Sequence, residues 1–263
     1  MIKSLYTAAT GMKGQQTYVD AISNNLANVN TTGFKRSQPT FEDLLYVTLK
    51  APGLDQSSGS GNPVGIQVGS GVKVAGTTMN FENGVLEGTQ RSLDVAITGQ
   101  GFFRVTLPDG TTAYTRDGHF QIDADSRLTT TSGYVIEPEI QIPSDVITIG
   151  IGEDGQVTVT QASSPDVATP LGQLELTRFV NPSGLNQIGG NLYLASEAAG
   201  TSINDNPGSQ GMGQLQQNFL ERSNVEVVSE LVNLIVAQRA YEVNSRTIRT
   251  SDQMLQQVSS IVR

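Results

Sequence analysis

Residues 2–33 read IKSLYTAATGMKGQQTYVDAISNNLANVNTTG. Within them Ile2, Leu5, Ala9, Met12, Gln16, Val19, Ser23 and Leu26 fall at alternating steps of three and four. That is the spacing of a helical seam with two polar members, Gln16 and Ser23. No proline precedes Pro39, so the stretch can run as one helix of roughly 40 Å at 1.5 Å per residue. Asn28-Val29-Asn30-Thr31-Thr32-Gly33 then stops it, because Asn and Gly take the left-handed conformations that close helices.

The opposite end shows the same pattern. Between Ser223 and Arg263 there is neither Gly nor Pro, which allows a helix of roughly 35–40 residues, with Asn224 as its cap. Val228, Leu231, Leu234, Ile235, Tyr241, Ile248, Leu255, Val258 and Val262 recur at helical spacing, and Gln238, Ser245 and Asp252 are polar members of the stripe. A helix of this length favours a coiled-coil or bundle role.

The middle is β in character. Short runs such as Phe102–Leu107, Thr111–Arg116, His119–Ile122, Ile147–Ile151 and Val157–Thr160 are divided by Asp109-Gly110, Asp117-Gly118 and Asp154-Gly155. Asp-Gly between apolar runs signals a hairpin. The spacing suggests a sandwich or barrel-like domain. The expected fold is α+β: N- and C-terminal helices paired in a coiled-coil-like domain, with an inserted all-β middle. Its expected segments are an N-terminal helix at 1–32, an extended or hairpin connector at 33–72, a β-rich domain at 73–220 and a C-terminal helix at 221–263. Residues 50–71 are rich in Gly and Ser, as a flexible loop would be.

Composition narrows the function. The 263 residues include no Cys and one His, His119, so disulfides, thiolate metal sites and thiol nucleophiles are excluded. The net charge is -9, and it sits in the middle. Residues 37–220 hold 7 basic and 19 acidic residues, which argues against a nucleic-acid partner. The near-neutral ends suit segments that pack closely together. The N-terminus lacks the apolar core of a secretory signal, and no run is long enough to span a membrane. If the protein leaves the cytoplasm, the expected route leaves its N-terminus intact.

Candidate chemical motifs fail in turn. His119 sits at a turn-to-strand junction, where an exposed surface histidine is expected. Asp123-Ala124-Asp125 opens like a calcium loop, but Arg127 stands where the next acid is needed. Glu137 and Glu139 flank Pro138 and make a poor glycosidase pair. Gly69-Ser70-Gly71 and Gly99-Gln100-Gly101 lack the third glycine of a phosphate loop. The expectation is a non-enzymatic structural subunit with no catalytic residues, cofactor or metal.

Four blocks carry a family resemblance. Ser23-Asn24-Asn25-Leu26-Ala27-Asn28-Val29-Asn30-Thr31-Thr32-Gly33-Phe34-Lys35-Arg36 closely resembles the signature of the bacterial flagellar basal-body rod and hook protein family. Asp94–Phe103, Tyr114–Phe120 and Gln238-Arg239-Ala240-Tyr241-Glu242-Val243-Asn244-Ser245 are similar to further blocks of that family, in the same order. Short proximal rod subunits lack much of the β middle and hook proteins are much longer. The run Phe41–Gly53, followed by Gly65–Val72, resembles the insertion that marks distal rod members.

The resemblance implies an inner α domain lining an axial channel, with the β middle projecting outward. It implies a hollow helical homopolymer of the flagellar basal body that crosses the periplasm, transmits torque to the hook and passes exported subunits. The implied partners are further copies of the chain, proximal rod subunits, hook protein, the peptidoglycan and outer-membrane ring proteins and the flagellar type III export apparatus. Leu5, Met12, Val19, Leu26, Leu231, Leu234, Tyr241, Ile248 and Leu255 are the expected assembly seams. Alternatives are a proximal rod or short hook subunit of the same family, or a secreted β-rich cell-wall enzyme.

Overall fold

The computed structural model describes residues 2–50, 53–54, 61–62, 64–162 and 164–261. Much of the Gly/Ser-rich stretch at 50–71 therefore lies outside the described residues. Two helices bracket a mostly β chain: α1, Ile2–Ala27, and α2, Val227–Ile261. Helix α1 ends where its Asn/Thr/Gly run begins. Thr31 donates its N–H to the Asn28 carbonyl at 3.2 Å, and its hydroxyl lies 3.1 Å from Asn28 Oδ1. Gly33 then turns the chain at φ +67.

Asn224 does not cap α2, contrary to expectation. Its side chain is committed elsewhere, and Glu226 precedes the first turn instead. The Glu226 carbonyl accepts the Glu230 N–H at 3.0 Å, and Ser229 donates to the Glu226 carboxylate at 2.8 Å.

The chain groups into two compact units. The first comprises residues 1–26, 37–78 and 226–263, and the second comprises 27–36 and 79–225. In this grouping the end of the signature segment goes with the β middle, and residues 37–78 go with the helices. The reason for the latter is local packing. Strand Ser37–Asp43 pairs with Val72–Met79, and Val47–Lys50 pairs antiparallel with Ile66–Val68, so the segment folds back as a hairpin. Tyr18 meets Phe41 edge-on at 6.3 Å, and Lys3 Nζ donates to the Val68 carbonyl at 2.9 Å. Gly14 is the gap that admits the Phe41 ring, since a Cβ there would stand 3.3 Å from Phe41 Cε1.

In the β unit, seven antiparallel strands run in the order Phe120–Ile122, Leu128–Thr130, Val135–Glu137, Phe103–Thr106, Thr112–Thr115, Leu192–Leu194, Asn186–Gly189. A three-stranded sheet, Val146–Ile151, Gln156–Gln161 and Ser164–Gln173, shares one apolar core with it; Phe103, Val105, Phe120, Val157, Leu174 and Leu215 sit at its centre. Asp109-Gly110 is the expected hairpin turn: Thr106 pairs with Thr112, and Asp109 accepts the Thr111 N–H at 2.9 Å. Asp154-Gly155 serves likewise, with Ile151 opposite Val157. Asp117-Gly118 does not. The strands on either side of it are not neighbours in the sheet, and Gly118 instead accepts the Val95 N–H at 3.0 Å. A Cβ on Gly118 would overlap the Val95 carbonyl, so this glycine serves a close approach of backbones.

Candidate functional site: terminal helices and signature segment

Within the helical unit α1 and α2 run antiparallel. The hydroxyls of Ser4 and Ser251 are 3.4 Å apart, and seven residues further on Gly11 lies against the Asn244 amide. Ala237, Asn25, Glu230 and Ser251 are all buried. Where the two helices touch, at Ser4 with Ser251 and at Gly11 with Asn244, the residues are small or polar. Ser4 and Gly11 fall one residue before Leu5 and Met12, a turn of roughly 100° about the α1 axis.

Leu5, Met12, Val19 and Leu26 are half-buried, as are Leu234, Ile248 and Leu255 in α2. Leu231 and Tyr241 are exposed. Gln238, Tyr241 and Glu242 border, with Gln16 and Val19, an open cleft of about 420 Å³. Arg239 is exposed and Ala240 half-buried. On α2, Val228, Val232, Ile235, Val236 and Val243 are exposed at spacings that keep them near one face. The hairpin adds Leu45, which is 89% exposed, together with Leu49 and Ile66. Unpartnered large apolar groups at this density are the mark of an association surface.

The signature segment divides at Ala27. Asn24 and Ala27 are exposed, whereas Asn25 is buried. Its amide holds Ser37 at two points: Nδ2 donates to the Ser37 carbonyl at 2.9 Å, and Oδ1 accepts the Ser37 N–H at 3.0 Å. Asn28 is half-buried, and Gly33, Phe34 and Lys35 are buried in the β unit. Gly33 is required there. A Cβ would stand 2.7 Å from the Asp117 backbone nitrogen, and its own N–H donates to the Glu221 carbonyl at 2.8 Å.

Lys35 ends in a buried ionic cluster. Its Nζ donates to Glu221 Oε1 at 2.6 Å and to the Glu82 carbonyl at 2.7 Å. Glu221 Oε1 also accepts the Gly84 N–H at 2.8 Å, while Oε2 faces Arg116 Nη1 at 3.3 Å. The Arg116 guanidinium lies 5.3 Å from the Phe102 ring centroid and donates to the Gly99 carbonyl at 2.8 Å. Burial pushes the Lys35 ammonium below its ordinary pKa, the Glu221 charge opposes that shift, and Arg116 adds to it. Burial lifts the Tyr193 phenol beside the cluster to about 12. Asp117 accepts from the Thr32 hydroxyl at 3.0 Å, and burial raises its carboxyl pKa despite that bond.

Two signature blocks thus meet here, 23–36 and 114–120. Sequence reading missed Glu221 and gave Asn224 another role. A charge closing the run Phe219-Leu220-Glu221 was the available signal.

The remaining chemical candidates are engaged structurally. His119 is only partly exposed, against expectation, because its Nδ1 sits 3.0 Å from the buried Asp94 carboxylate. Arg127 bridges Asp123 at 3.3 Å and Asp125 at 2.8 Å, so both carboxylates are held by a cationic side chain. Glu137 is paired with Arg104 at 2.8 Å. Among the described residues no group of His, Asp and Glu is arranged to hold a metal, and no helix is long and apolar enough to cross a membrane.

Three family models match in chain order. They are the flagella basal body rod protein at residues 5–35, the D1 domain of flagellar hook protein FlgE/F/G at 96–159, and the C-terminal region of flagellar basal body rod FlgEFG protein at 216–261. The flagellar basal-body rod protein FlgG of Buchnera aphidicola is 50% identical over 262 residues, covering 99% of this chain and all of that one. The chain belongs to the flagellar basal-body rod protein family. FlgG of Borreliella burgdorferi is 49% identical over 97% of both chains, and FlgG of Bacillus subtilis is 40% identical over the full length of both. The two outer models end on α1 with its signature segment and on α2, so membership is carried by the helices as well as by the β unit. The family is one of structural proteins, and the chain is not an enzyme.

Proposed function

We propose that the protein is a structural subunit of the flagellar basal body that polymerises into the distal rod, a hollow helical drive shaft that carries torque to the hook and passes exported subunits. End-to-end likeness to FlgG rod proteins carries this reading. The location is the flagellar basal body, and assembly there with other flagellar components follows from the family. Proximal rod subunits at one end, hook protein at the other, the surrounding ring proteins and the type III export apparatus are the proposed contacts.

The exposed apolar side chains of α2 and of the hairpin support polymerisation. Each large side chain covered by a neighbour contributes roughly 1.5–3 kcal/mol, so a few per subunit suffice for a stable lattice. In this reading α1 and α2 pair as a coiled-coil-like inner domain. The half-buried seam Leu5, Met12, Val19, Leu26, Leu234, Ile248 and Leu255, with exposed Leu231 and Tyr241, is completed by adjacent copies. Supplying the chain to a bacterium deleted for its own FlgG tests the proposal. Restored swimming, with straight rods containing the chain in purified basal bodies, is expected; rods that stop short of the distal segment would refute it.

A further inference from the structure

The chain passes between its two compact units after residues 26, 36, 78 and 225. On the β side, the segments adjoining the last three passages are knitted to one another. Arg36 donates its N–H to Asn224 Oδ1 at 2.8 Å and accepts the Asn80 N–H on its carbonyl at 2.9 Å. Asn224 Nδ2 donates in turn to the Asn80 carbonyl at 2.8 Å and to that of Glu82 at 3.2 Å. Arg222 donates its N–H to the Val85 carbonyl at 2.9 Å. At the centre Glu221 gathers Lys35, Gly84 and Arg116, with the Lys35 and Glu221 side chains wholly buried.

We propose that this cluster is a mechanical anchor: Glu221 and Asn224 fix segments 33–36, 80–85 and 221–224 of the β unit as one cooperative unit. The physical reason is the cost of partial release. A buried carboxylate satisfied by two cations and a backbone N–H loses its partners' charge compensation if any one segment withdraws. The segments therefore hold or let go together. For a subunit that transmits torque, load arriving along any of the three passages is delivered to the β core and not to a flexible loop. The anchor itself rests on the fold; only its meaning for torque rests on the rod reading.

The test uses the full-length free subunit in two variants, Lys35→Met and the milder Asn224→Ala, which buries no unpaired charge. Amide hydrogen exchange is followed at Gly33, Asn80, Gly84 and Arg222. Each variant is expected to accelerate exchange at least tenfold in all three segments together, while the amides of 103–115 keep their protection. Acceleration confined to the substituted segment would overturn the anchor. Cells carrying Asn224→Ala are expected to swim in dilute medium and to fail in viscous medium where wild-type cells do not. Unimpaired swimming under viscous load, alongside coupled exchange, would overturn the torque role. Failure of the unmodified chain to restore swimming would instead count against the rod reading, leaving the exchange result to decide the anchor.

Discussion

Gly11 of α1 faces Asn244 of α2 so closely that a Cβ on Gly11 would stand 2.9 Å from the Asn244 amide nitrogen. A glycine inside a helix costs about 1 kcal/mol relative to alanine, and here the close approach of the helices explains its presence. Gly11→Leu is expected to force the pair apart and lower its stability by about 1–3 kcal/mol, the usual cost of overpacking. Asn244→Ala in the same chain should restore part of that loss by vacating the space. Thermal melts followed by far-ultraviolet circular dichroism would show both effects, and identical melts for Gly11→Leu with and without Asn244→Ala would contradict the contact.

That pair also shows where the sequence was legible and where it was not. The helices are local objects, and the steps of three and four from Ile2 to Leu26 run the length of α1, Ile2–Ala27. Which residues meet the other helix is not local. It depends on small residues opposite small residues, Ser4 with Ser251 and Gly11 with Asn244, and on a hairpin whose Phe41 reaches Tyr18. Ser4 and Gly11, which make those contacts, each lie one residue from the apolar stripe at Leu5 and Met12. Asp109-Gly110 announced its hairpin because both strands adjoin it. Asp117-Gly118 misled because the backbone it meets belongs to Val95. The Lys35–Glu221 pair, 186 positions apart, leaves no spacing to read.

Gly33 and Gly110 both have positive φ, +67 and +80, yet only one is crowded. A Cβ on Gly110 meets nothing within 4 Å, whereas one on Gly33 strikes the backbone between Arg116 and Asp117. Gly110→Ala should cost roughly 1–2 kcal/mol from its left-handed conformation alone. Gly33→Ala adds an overpacking cost and should lose about 3 kcal/mol or more. Urea denaturation of the two variants distinguishes them, and equal midpoints would refute the crowding argument.

Tyr193 gives the β unit an alkaline limit. Its phenol is raised to about 12 by burial, while in the unfolded chain it titrates near the ordinary tyrosine value of 10.0. Between those values the native state holds a proton that the unfolded state has released, so stability falls as pH rises. The loss is about 2–3 kcal/mol across the window at roughly 1.4 kcal/mol per unit. The hydroxyl has no hydrogen-bond partner among the described residues. Tyr193→Phe should therefore be neutral or stabilising at pH 7 and should flatten the alkaline slope. Denaturation midpoints measured from pH 9 to 12 would decide it.

Val232 and Leu234 separate assembly from folding. Val232 is 54% exposed on α2, so Val232→Asp should change the stability of the free subunit by no more than about 0.5 kcal/mol. In the assembled state the same carboxylate would be buried without a partner, which is expensive. Leu234 is half-buried within the chain, and Leu234→Asp should weaken the helical unit before any neighbour is met. Both variants are expected to abolish swimming and polymerisation, but only Leu234→Asp should lower the melting temperature of the free subunit. Sedimentation beside calorimetry reads both properties. Normal polymerisation of Val232→Asp would remove the outward face of α2 from the lattice contact and leave the hairpin side chains Leu45, Leu49 and Ile66 to account for it.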